Sequence, residues 1–545
     1  MPVMKRRHFL GATAAALGGI AAGAGGTLGV QALASRPLVY PTEGPPSAQS
    51  YLPIDPANIT RAVSRLDSLV NDLMKRTGMP GVAVAVVHDD VIVYAKGFGV
   101  RRVGTTDAVD ADSVFQLASL SKSISATAIS GAVAAGVAGW DDPIVKHLPA
   151  FTLHDEYATS NVTVADMFSH RSGLPGHAGD LIEDLGFSAA AVQQRLRYYE
   201  LAPIRTQYEY TNFGLEAGAE AIAAAAGTSW EDVVQQYVFK PLGMTSASTT
   251  FAGYSKSPRR CYGHIRVGDT WEASVIRNAD AQSAAGGVSS SVTDMAKWMR
   301  LQLAEGIFDG VEVIPQPQLR RMQTPHSISE PARTPQSRSG LYGLGMGLST
   351  DVSGRATFSH SGAFFTGAGT NYVMMPAERL GIVILGNGMA IGLAEAVSKS
   401  FFDIVSTGAV QADWYTILNT NLFAPGYVNP GQLNGLNPPA RPAAFPGILP
   451  PRISLVGIYS NDLYGPARVA RSGDGLTLLL GPALTPFALT SWGGLTYSYL
   501  PTGEDAVGIS AVTFTLNALG MAATMTIENL NGTDEDSPLG VFRHA

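Results

Sequence analysis

Residues Phe115-Gln-Leu-Ala-Ser-Leu-Ser-Lys-Ser-Ile124 form the stretch from which the rest of the chain can be placed. An apolar run of small residues, Ile124–Val137, follows without proline or charge, and it predicts a buried helix. Ser119 and Lys122 are three residues apart, so they share one face if Ser119 lies at the start of that helix. Burial would lower the pKa of Lys122 and let its amine take the proton of the Ser119 hydroxyl. The alternative is an ordinary helix start that contains a serine and a lysine.

Two further segments carry residue types that serve catalysis. Tyr210-Thr-Asn212 stands in a polar turn before an Ala-rich helix, and His360-Ser-Gly362 stands on a candidate strand. For the first segment the alternative is an ordinary helix cap, in which Thr211 or Asn212 satisfies free N–H groups. For His360 the alternative is a core histidine without a function.

The order S-x-x-K, Y-x-N and a basic residue two before a glycine resembles the signature of serine β-lactamases and penicillin-binding proteins. The family that the chain resembles is the class C β-lactamase-like serine hydrolases (peptidase S12 type), which include D-aminopeptidases, D,D-peptidases and esterases. Thr163–Pro175 and Ala284–Ala296 are similar to secondary segments of that family, and the resemblance covers roughly residues 60–405. His170 and Asp294, in those secondary segments, are assigned to turn and helix-cap roles.

The resemblance implies a role for each matching residue. Ser119 would be the nucleophile, and Lys122 would accept its proton or hold it electrostatically. Tyr210, drawn toward the phenolate by Lys122, would be the general base or the proton shuttle to the leaving group. Asn212 would hydrogen-bond Lys122 and a substrate amide, and the N–H groups of Ser119 and Ala363 would form the oxyanion hole at a helix N-terminus. The remaining implied site residues are His360 as a catalytic group, with Ser361 and Gly362 as substrate-binding positions.

Position 360 departs from the pattern of true β-lactamases, which carry lysine there. A lysine is a permanent cation that can hold the carboxylate of a β-lactam or of a peptide C-terminus. A histidine, with an ordinary pKa of about 6.5, is mostly neutral at neutral pH and attracts that carboxylate weakly. His360 could still donate a hydrogen bond to Tyr210 or to the substrate. The sequence therefore favours an amide or ester substrate without an essential carboxylate and disfavours β-lactamase activity.

The fold class predicted for residues 59–408 is the α/β (α+β) serine β-lactamase-like fold, an antiparallel sheet flanked by helices plus a helical subdomain. Ile59–Met79 has helical apolar spacing, and Gly81–Val87 with Val91–Phe98 predicts a β-hairpin. Further strands and a closing helix are predicted at Thr370–Pro376, Leu380–Leu385 and Gly392–Thr407. The resemblance implies that the catalytic cleft lies between the two layers.

The composition changes after residue 408. Residues 409–451 contain eight prolines among Gly, Asn and Ala, which predicts a linker or a strap across a surface. Short alternating strands between turn residues over 452–545 predict a small all-β, barrel-like domain. Gly457-Ile-Tyr459 and Val541-Phe-Arg543 resemble the lipocalin-like domain that some peptidases of this family carry. We expect a structural module there, with lipid binding as the alternative.

The first 34 residues have the pattern of an export signal. Lys5-Arg-Arg-His-Phe-Leu-Gly11 is a twin-arginine motif, and an Ala/Gly-rich run leads to Ala32-Leu-Ala34. Cleavage after Ala34 predicts a periplasmic or secreted bacterial protein with an extended lead-in over residues 35–58. An uncleaved membrane anchor is the alternative.

Charge and composition restrict the partners. The formal net charge is −7, and loss of the three cations at positions 5–7 changes −7 to −10, because no acidic residue precedes Ala34. An acidic surface argues against nucleic acid as the partner, and stable membrane insertion is not expected after signal cleavage. The single cysteine, Cys261, cannot form an internal disulfide. The sequence has neither C-x-x-C nor H-E-x-x-H, so no metal or other cofactor is predicted.

Three functions remain open from the sequence. The first is an exported serine hydrolase that cleaves amide bonds of small peptides through an acyl-enzyme on Ser119. The second is an esterase that acts on short acyl esters with the same residues, and the third is a non-catalytic penicillin-recognising or scaffold protein. The intact catalytic set disfavours the third, and the extra β-domain favours the first over the second by analogy. The G-x-S-x-G motif of α/β-hydrolases is absent, and a homo-oligomer stays open.

Overall fold

The computed structural model describes residues 53–273, 276–351, 353–422, 452–506, 508–531 and 539–545. The predicted signal peptide, residues 35–52 of the predicted lead-in (35–58) and residues 423–451 of the predicted linker (409–451) lie outside the described residues. The described parts of these two segments are not fully extended, because one helix begins at Pro56 and another spans Trp414–Leu422. Among the helices that are described, none is long and apolar enough to cross a membrane.

An eight-stranded antiparallel sheet forms the centre of the first part of the chain. Its strands are β1 (Gly81–His88), β2 (Val91–Gly99), β3 (Ser327–Glu330), β4 (Gly340–Tyr342), β5 (Gly347–Thr350), β6 (Ala356–Phe364), β7 (Ala368–Met375) and β8 (Leu380–Gly386). Their spatial order is β2-β1-β8-β7-β6-β5-β4-β3, so strands from both ends of this region meet where β1 pairs with β8. The predicted hairpin and the two predicted later strands are confirmed.

Helices cover both faces of this sheet and build the second layer. They are α1 (Pro56–Thr77), α2 (Ser121–Ala134), α3 (Ile144–His147), α4 (Glu156–Asn161), α5 (Val164–Phe168), α6 (Asp180–Asp184), α7 (Ala189–Arg195), α8 (Asn212–Ala226), α9 (Trp230–Val234), α10 (Phe251–Lys256), α11 (Ser283–Gly286), α12 (Val292–Leu303), α13 (Gln316–Met322), α14 (Leu393–Thr407) and α15 (Trp414–Leu422). The predicted sheet flanked by helices, with a helical subdomain, is confirmed.

Strand β1 shows why its sequence is a continuous apolar run. Successive side chains of a strand point to opposite faces, and both faces of β1 are covered. Helices α1 and α14 pack together on one face, and α12 packs against the other. The two cores receive alternate residues, Val82, Val84 and Val86 on one side and Ala83, Ala85 and Val87 on the other.

Two predicted helices begin and end at other residues, for local reasons. Helix α1 begins three residues earlier than predicted, because the Asp55 carboxylate accepts the Ala57 N–H at 2.9 Å. Helix α2 also begins three residues earlier and ends at Ala134, because Gly136 adopts φ +74°. The Val137 N–H then donates to the Ala132 carbonyl at 3.0 Å and closes the helix.

The C-terminal part of the chain forms a closed eight-stranded antiparallel barrel. Its strands are β9 (Gly457–Ser460), β10 (Ala467–Ser472), β11 (Gly475–Leu480), β12 (Thr485–Gly493), β13 (Thr496–Tyr499), β14 (Ser510–Leu516), β15 (Ala522–Ile527) and β16 (Val541–His544). Pairing of Tyr459 with His544 closes it. The first strand begins at Gly457, because residues 452–455 form a 3₁₀ turn before it. Buried Tyr459, Phe514 and Phe542 help to fill the interior, as expected of a small barrel.

Candidate active site

Ser119 lies in a 3₁₀ turn, Ala118–Leu120, directly before α2. The preceding residue, Ala118, has φ +48°, a left-handed conformation that is costly for a residue with a Cβ atom. The Ser119 side chain is partly exposed, while its neighbours on either side are buried. The turn therefore presents the hydroxyl at the edge of the core.

Lys122 is completely buried, and its amine contacts three oxygen atoms. Nζ lies 3.1 Å from Ser119 Oγ, 2.7 Å from Asn212 Oδ1 and 3.0 Å from the carbonyl oxygen of Ala285. Burial lowers the pKa of Lys122 from 10.5 to about 7, although nearby carboxylates oppose this change. The amine therefore exchanges its proton near neutral pH, as a base beside a serine requires.

Tyr210 is the second group on the serine. Its hydroxyl donates a hydrogen bond to Ser119 Oγ at 2.8 Å, and the Lys122 amine lies 4.6 Å from the centre of its ring. Burial raises the pKa of Tyr210 well above its usual value. The phenol is therefore protonated in the free protein, which fits the expected proton shuttle better than the expected general base.

Asn212 is the first residue of α8 and connects Lys122 to an acidic side chain. Its Oδ1 faces Lys122, and its Nδ2 donates to Asp180 Oδ2 at 3.0 Å. Neither Asn212 nor the N-cap residue Thr211 caps the helix through its side chain. The helix-cap alternative is therefore wrong for this segment.

Strand β6 brings its backbone against the turn that carries Ser119. A Cβ atom at Gly362 would lie 2.4 Å from the Leu117 carbonyl oxygen and 3.0 Å from the Ser119 nitrogen, so only glycine fits there. Ala363 follows and lines the same cleft as Ser119. Ser361 also lines the cleft, and its hydroxyl accepts a hydrogen bond from Asn371 Nδ2 at 3.1 Å.

His360 lies near these groups but has other partners than predicted. Its Nδ1 is 2.6 Å from the Ser361 carbonyl oxygen, which can only accept, so Nδ1 carries the proton. Nε2 then accepts from the Tyr342 hydroxyl at 2.8 Å. Burial and the charge of Lys122 lower the pKa of His360 to about 4, so the ring is neutral. Of the two partners that the sequence left open for His360, Tyr210 or the substrate, the hydrogen bond to Tyr210 is absent among the described residues, because strand β4 supplies Tyr342 instead.

His170 supports the tyrosine from behind. Its ring lies 4.4 Å from that of Tyr210, and its Nδ1 accepts the Thr211 N–H at 3.2 Å. The side chain is fully buried, which lowers its pKa well below the usual value. Asp294 accepts the Ser246 N–H at 2.8 Å in the adjoining layer. Both contacts agree with the structural roles expected of these two residues.

Two residues of the site carried no recognised sequence signal. His177 Nδ1 and Asp180 Oδ2 are 3.0 Å apart, and both side chains line the cleft beside Ser119. They follow the predicted Thr163–Pro175 segment within a Gly-His-Ala-Gly-Asp sequence. The sequence signal that could have indicated them is their position, since both polar residues follow directly after a segment that is similar to the family.

The cleft has a volume of about 340 Å³, and a loop of the barrel forms part of its wall. Glu504 and Asp505, between β13 and β14, line it together with apolar residues that follow Gly362. The Glu504 carboxylate accepts the Phe365 N–H and the Thr366 hydroxyl, the latter at 3.0 Å. The barrel therefore reaches the cleft of its own chain.

Acidic side chains crowd this wall around one cation. Arg277 lies 2.7 Å from Glu183, 3.6 Å from Glu504 and 4.0 Å from Asp184. Burial raises the pKa of Glu183 to about 7 and that of Asp184 to about 6, against the opposing effect of Arg277. Burial and neighbouring carboxylates also raise the pKa of Asp505 well above its usual value. Carboxyl groups outnumber the single arginine among these five residues, and the raised pKa values of Glu183, Asp184 and Asp505 mean that burial favours their protonated forms.

Comparison with known proteins identifies relatives of the chain. The family model described as Beta-lactamase matches residues 66–396. Unguisins hydrolase ungD of Aspergillus violaceofuscus is 25% identical over 442 residues, 73% of this chain and 74% of the relative. D-alanyl-D-alanine-carboxypeptidase/endopeptidase AmpH of Escherichia coli (strain K12) is 26% identical over 264 residues, 48% of this chain and 65% of the relative.

Coverage of the relatives is partial. The chain spans 74% of the length of ungD, 65% of that of AmpH and 45% of that of a second unguisins hydrolase, ungD' of Aspergillus campestris. The octameric penicillin-binding protein homologue from Pyrococcus abyssi superposes with a TM-score of 0.52 at 19% identity, over 86% of this chain and 98% of that chain. This likeness concerns the fold.

Proposed function

The chain belongs to the β-lactamase family of serine hydrolases, and we propose that it is an exported member that cleaves amide bonds of small peptides through an acyl-enzyme on Ser119. The observation that carries this proposal is the convergence of the buried Lys122 amine and the Tyr210 hydroxyl on Ser119 Oγ, at 3.1 and 2.8 Å. AmpH, whose name describes a peptidase, supports the substrate class.

The hydrogen-bond partners of the Lys122 amine support its role as the base. A neutral amine has two N–H groups and one lone pair, and Asn212 Oδ1 and the Ala285 carbonyl are both acceptors. The lone pair is then directed to the third neighbour, the Ser119 hydroxyl. Tyr210 donates to the same oxygen, so the serine proton has Lys122 as its acceptor. The unprotonated site is thus arranged for proton removal from Ser119.

The reaction follows from this arrangement. Ser119 Oγ attacks the substrate carbonyl carbon while its proton passes to Lys122, and the N–H groups of Ser119 and Ala363 stabilise the oxyanion. The Tyr210 hydroxyl then gives its proton to the departing amine and regains one from the Lys122 ammonium. Water hydrolyses the acyl-enzyme by the reverse sequence of proton transfers. His360 takes no part in these proton transfers. Its role is to hold Tyr342 in place through their hydrogen bond.

The charge of the cleft favours a substrate that carries a free amino group. Asp180, Glu395, Glu504 and Asp505 line it, while Arg277 is already shared among three carboxylates. The raised pKa of Asp505 reflects burial and repulsion from neighbouring carboxylates, and a bound ammonium group would relieve that repulsion. A β-lactam, with its own carboxylate, would add a further acidic group to a wall already crowded with carboxyl groups.

An esterase is the second candidate, because apolar side chains form the other wall. Phe364, Phe365 and Ala390 line the cleft and would suit a short acyl chain. Export by the twin-arginine route, to the periplasm or outside the cell, remains part of the proposal, as does a homo-oligomer, for which the octameric relative is a precedent.

A substrate panel tests the proposal. We expect the wild type to hydrolyse short D- or L-aminoacyl amides with a free amino group faster than uncharged short esters, and Ser119→Ala to hydrolyse neither. Faster turnover of uncharged esters would favour the esterase. Equal rates for wild type and Ser119→Ala would contradict both.

A further inference from the structure

A continuous line of polar side chains runs from the mouth of the cleft to the buried lysine. His177 Nδ1 lies 3.0 Å from Asp180 Oδ2, and Asn212 Nδ2 donates to that same oxygen at 3.0 Å. Asn212 Oδ1 in turn lies 2.7 Å from Lys122 Nζ. The His177 side chain is 67% exposed and that of Asp180 only 5%, so the line begins in solvent and ends in the core.

The backbone fixes this line in place. The His177 N–H donates to the Tyr210 carbonyl at 2.8 Å, which ties its turn to the segment that carries Asn212. Gly179 has φ +101°, and a Cβ atom there would lie 2.6 Å from the Phe213 ring. Asp180 follows as the first residue of α6. The turn therefore holds both side chains between solvent and the N-terminus of α8.

The Asp180 carboxylate has an incomplete set of partners. Its Oδ2 serves both His177 and Asn212, whereas its buried Oδ1 has no hydrogen-bond partner among the described residues. A buried negative charge of this kind needs nearby positive charge. His177 and Lys122 are the basic groups at the two ends of the line, and the negative charge of Asp180 acts on both of them.

We propose that His177, paired with Asp180, sets the protonation state of Lys122, and thereby the pH range in which Ser119 reacts. The inference rests on the proposed function, since it assumes that Lys122 is the base. His177 and Asp180 act through Lys122 and are positioning residues in this scheme.

The direction of the effect follows from the charges. The hydrogen bond to Asp180 raises the pKa of His177, whereas burial lowers the pKa of Lys122 to about 7. A protonated His177 neutralises Asp180 and leaves the lysine ammonium less stabilised. Lys122 then releases its proton at lower pH than it would beside an uncompensated carboxylate. The pair extends the reactive range of Ser119 toward acid.

Other charged and titratable groups face the pair and stay constant in the test. Those that act electrostatically on His177, Asp180 or Lys122 are Glu209, Tyr210, His170, His360, Glu216, Glu183, Tyr199 and, from the barrel, Asp505. None of them hydrogen-bonds either oxygen of Asp180 among the hydrogen bonds of the described chain. The two proposed residues can therefore be changed singly.

The test measures how fast Ser119 reacts with a fluorophosphonate between pH 5 and 9, which requires no knowledge of the substrate. A neighbouring opposite charge shifts a pKa by about 1–3 units. Because Asn212 separates Asp180 from Lys122, we expect the pKa of Lys122 to shift by about one unit, the lower end of that range. His177→Gln should move the acid limb about one pH unit upward, and Asp180→Asn should move it by a similar amount downward. His147→Gln is the control for loss of a histidine–aspartate contact, because His147 Nε2 lies 2.8 Å from Asp142 Oδ2 and neither residue lines the cleft.

Opposite shifts in the two variants, with an unmoved control, would establish the inference. Unmoved acid limbs, or shifts in the same direction, would overturn it, because a merely structural defect has no reason to change sign. If Asp180→Asn does not fold, His177→Gln alone decides the question, because His177 is exposed and its replacement should be tolerated. An upward shift of its acid limb then supports the inference, and an unmoved limb overturns it. A wild type that never reacts would overturn the proposed function and this inference with it, whereas reaction with unmoved limbs would overturn this inference alone.

Discussion

Replacing Lys122 by methionine should make the stability of the protein depend on pH in a different way from the wild type. The burial of Lys122 lowers its pKa from 10.5 to about 7 in the folded protein. One pKa unit corresponds to about 1.36 kcal/mol, so this shift amounts to about 5 kcal/mol. Below pH 7 the folded protein therefore carries an ammonium whose burial destabilises it by about that amount.

The sign of the pH dependence follows from proton counts. Between pH 7 and 10.5 the unfolded chain binds one proton more than the folded chain at this residue, so wild-type stability rises there by about 1.4 kcal/mol per pH unit. Lys122→Met lacks that contribution. It also leaves Asn212 Oδ1 and the Ala285 carbonyl without this donor, at a cost of about 1–3 kcal/mol each that does not depend on pH.

Urea unfolding followed by tryptophan fluorescence measures the difference. Trp140 and Trp298 are buried in the core that α2 joins, and the Trp298 indole donates to Thr127 of α2 at 3.0 Å. Relative to wild type, the free energy of unfolding of Lys122→Met should fall by about 2.3 kcal/mol from pH 7 to pH 9, because the folded-state lysine is still half protonated at pH 7. Ser119→Ala keeps the buried lysine and should keep the wild-type pH dependence. Parallel curves for wild type and Lys122→Met would refute the lowered pKa.

Three further predictions concern the reacting groups and the cleft wall. Gly362→Ala should slow the fluorophosphonate reaction at least about 100-fold by displacing β6 from the serine turn. The control is Gly139→Ala, which should react as fast as the wild type, because an added Cβ atom there would meet nothing closer than 3.5 Å. Tyr210→Phe should lower amide turnover about 100-fold or more, because it removes the proton donor. His360→Gln should lower it less than tenfold. A larger loss in His360→Gln than in Tyr210→Phe would contradict the roles given to these two residues. Asp505→Asn should raise KM for aminoacyl amides about tenfold, equivalent to about 1.4 kcal/mol, and change KM for uncharged esters little; equal effects on both would argue against amine recognition.

Short-range sequence spacing was enough to predict the centre of the site. Ser119 and Lys122 are three residues apart on adjoining helical turns, so their contact follows from local geometry. Tyr210 and Asn212 belong to one short motif whose order along the chain points to the same cleft. The structure brings all four together, as the resemblance implies.

Features that depend on distant pairing were not predictable from the sequence. The partner of His360 is Tyr342, supplied by β4 through strand register, and the sequence did not specify that register. The contact of Glu504 with the cleft depends on where a separate barrel packs. Asp180 and His177 form no recognised pattern, and their importance follows only from the position of Asn212.

Intact mass after exposure to a fluorophosphonate probe tests the central claim, that Ser119 is an activated nucleophile, most directly. Wild type and Ser119→Ala should be compared at pH 8, where Lys122 is mostly unprotonated. The account predicts one adduct on the wild type and none on the variant. Equal labelling of both proteins, or no adduct on a folded wild type, would contradict it.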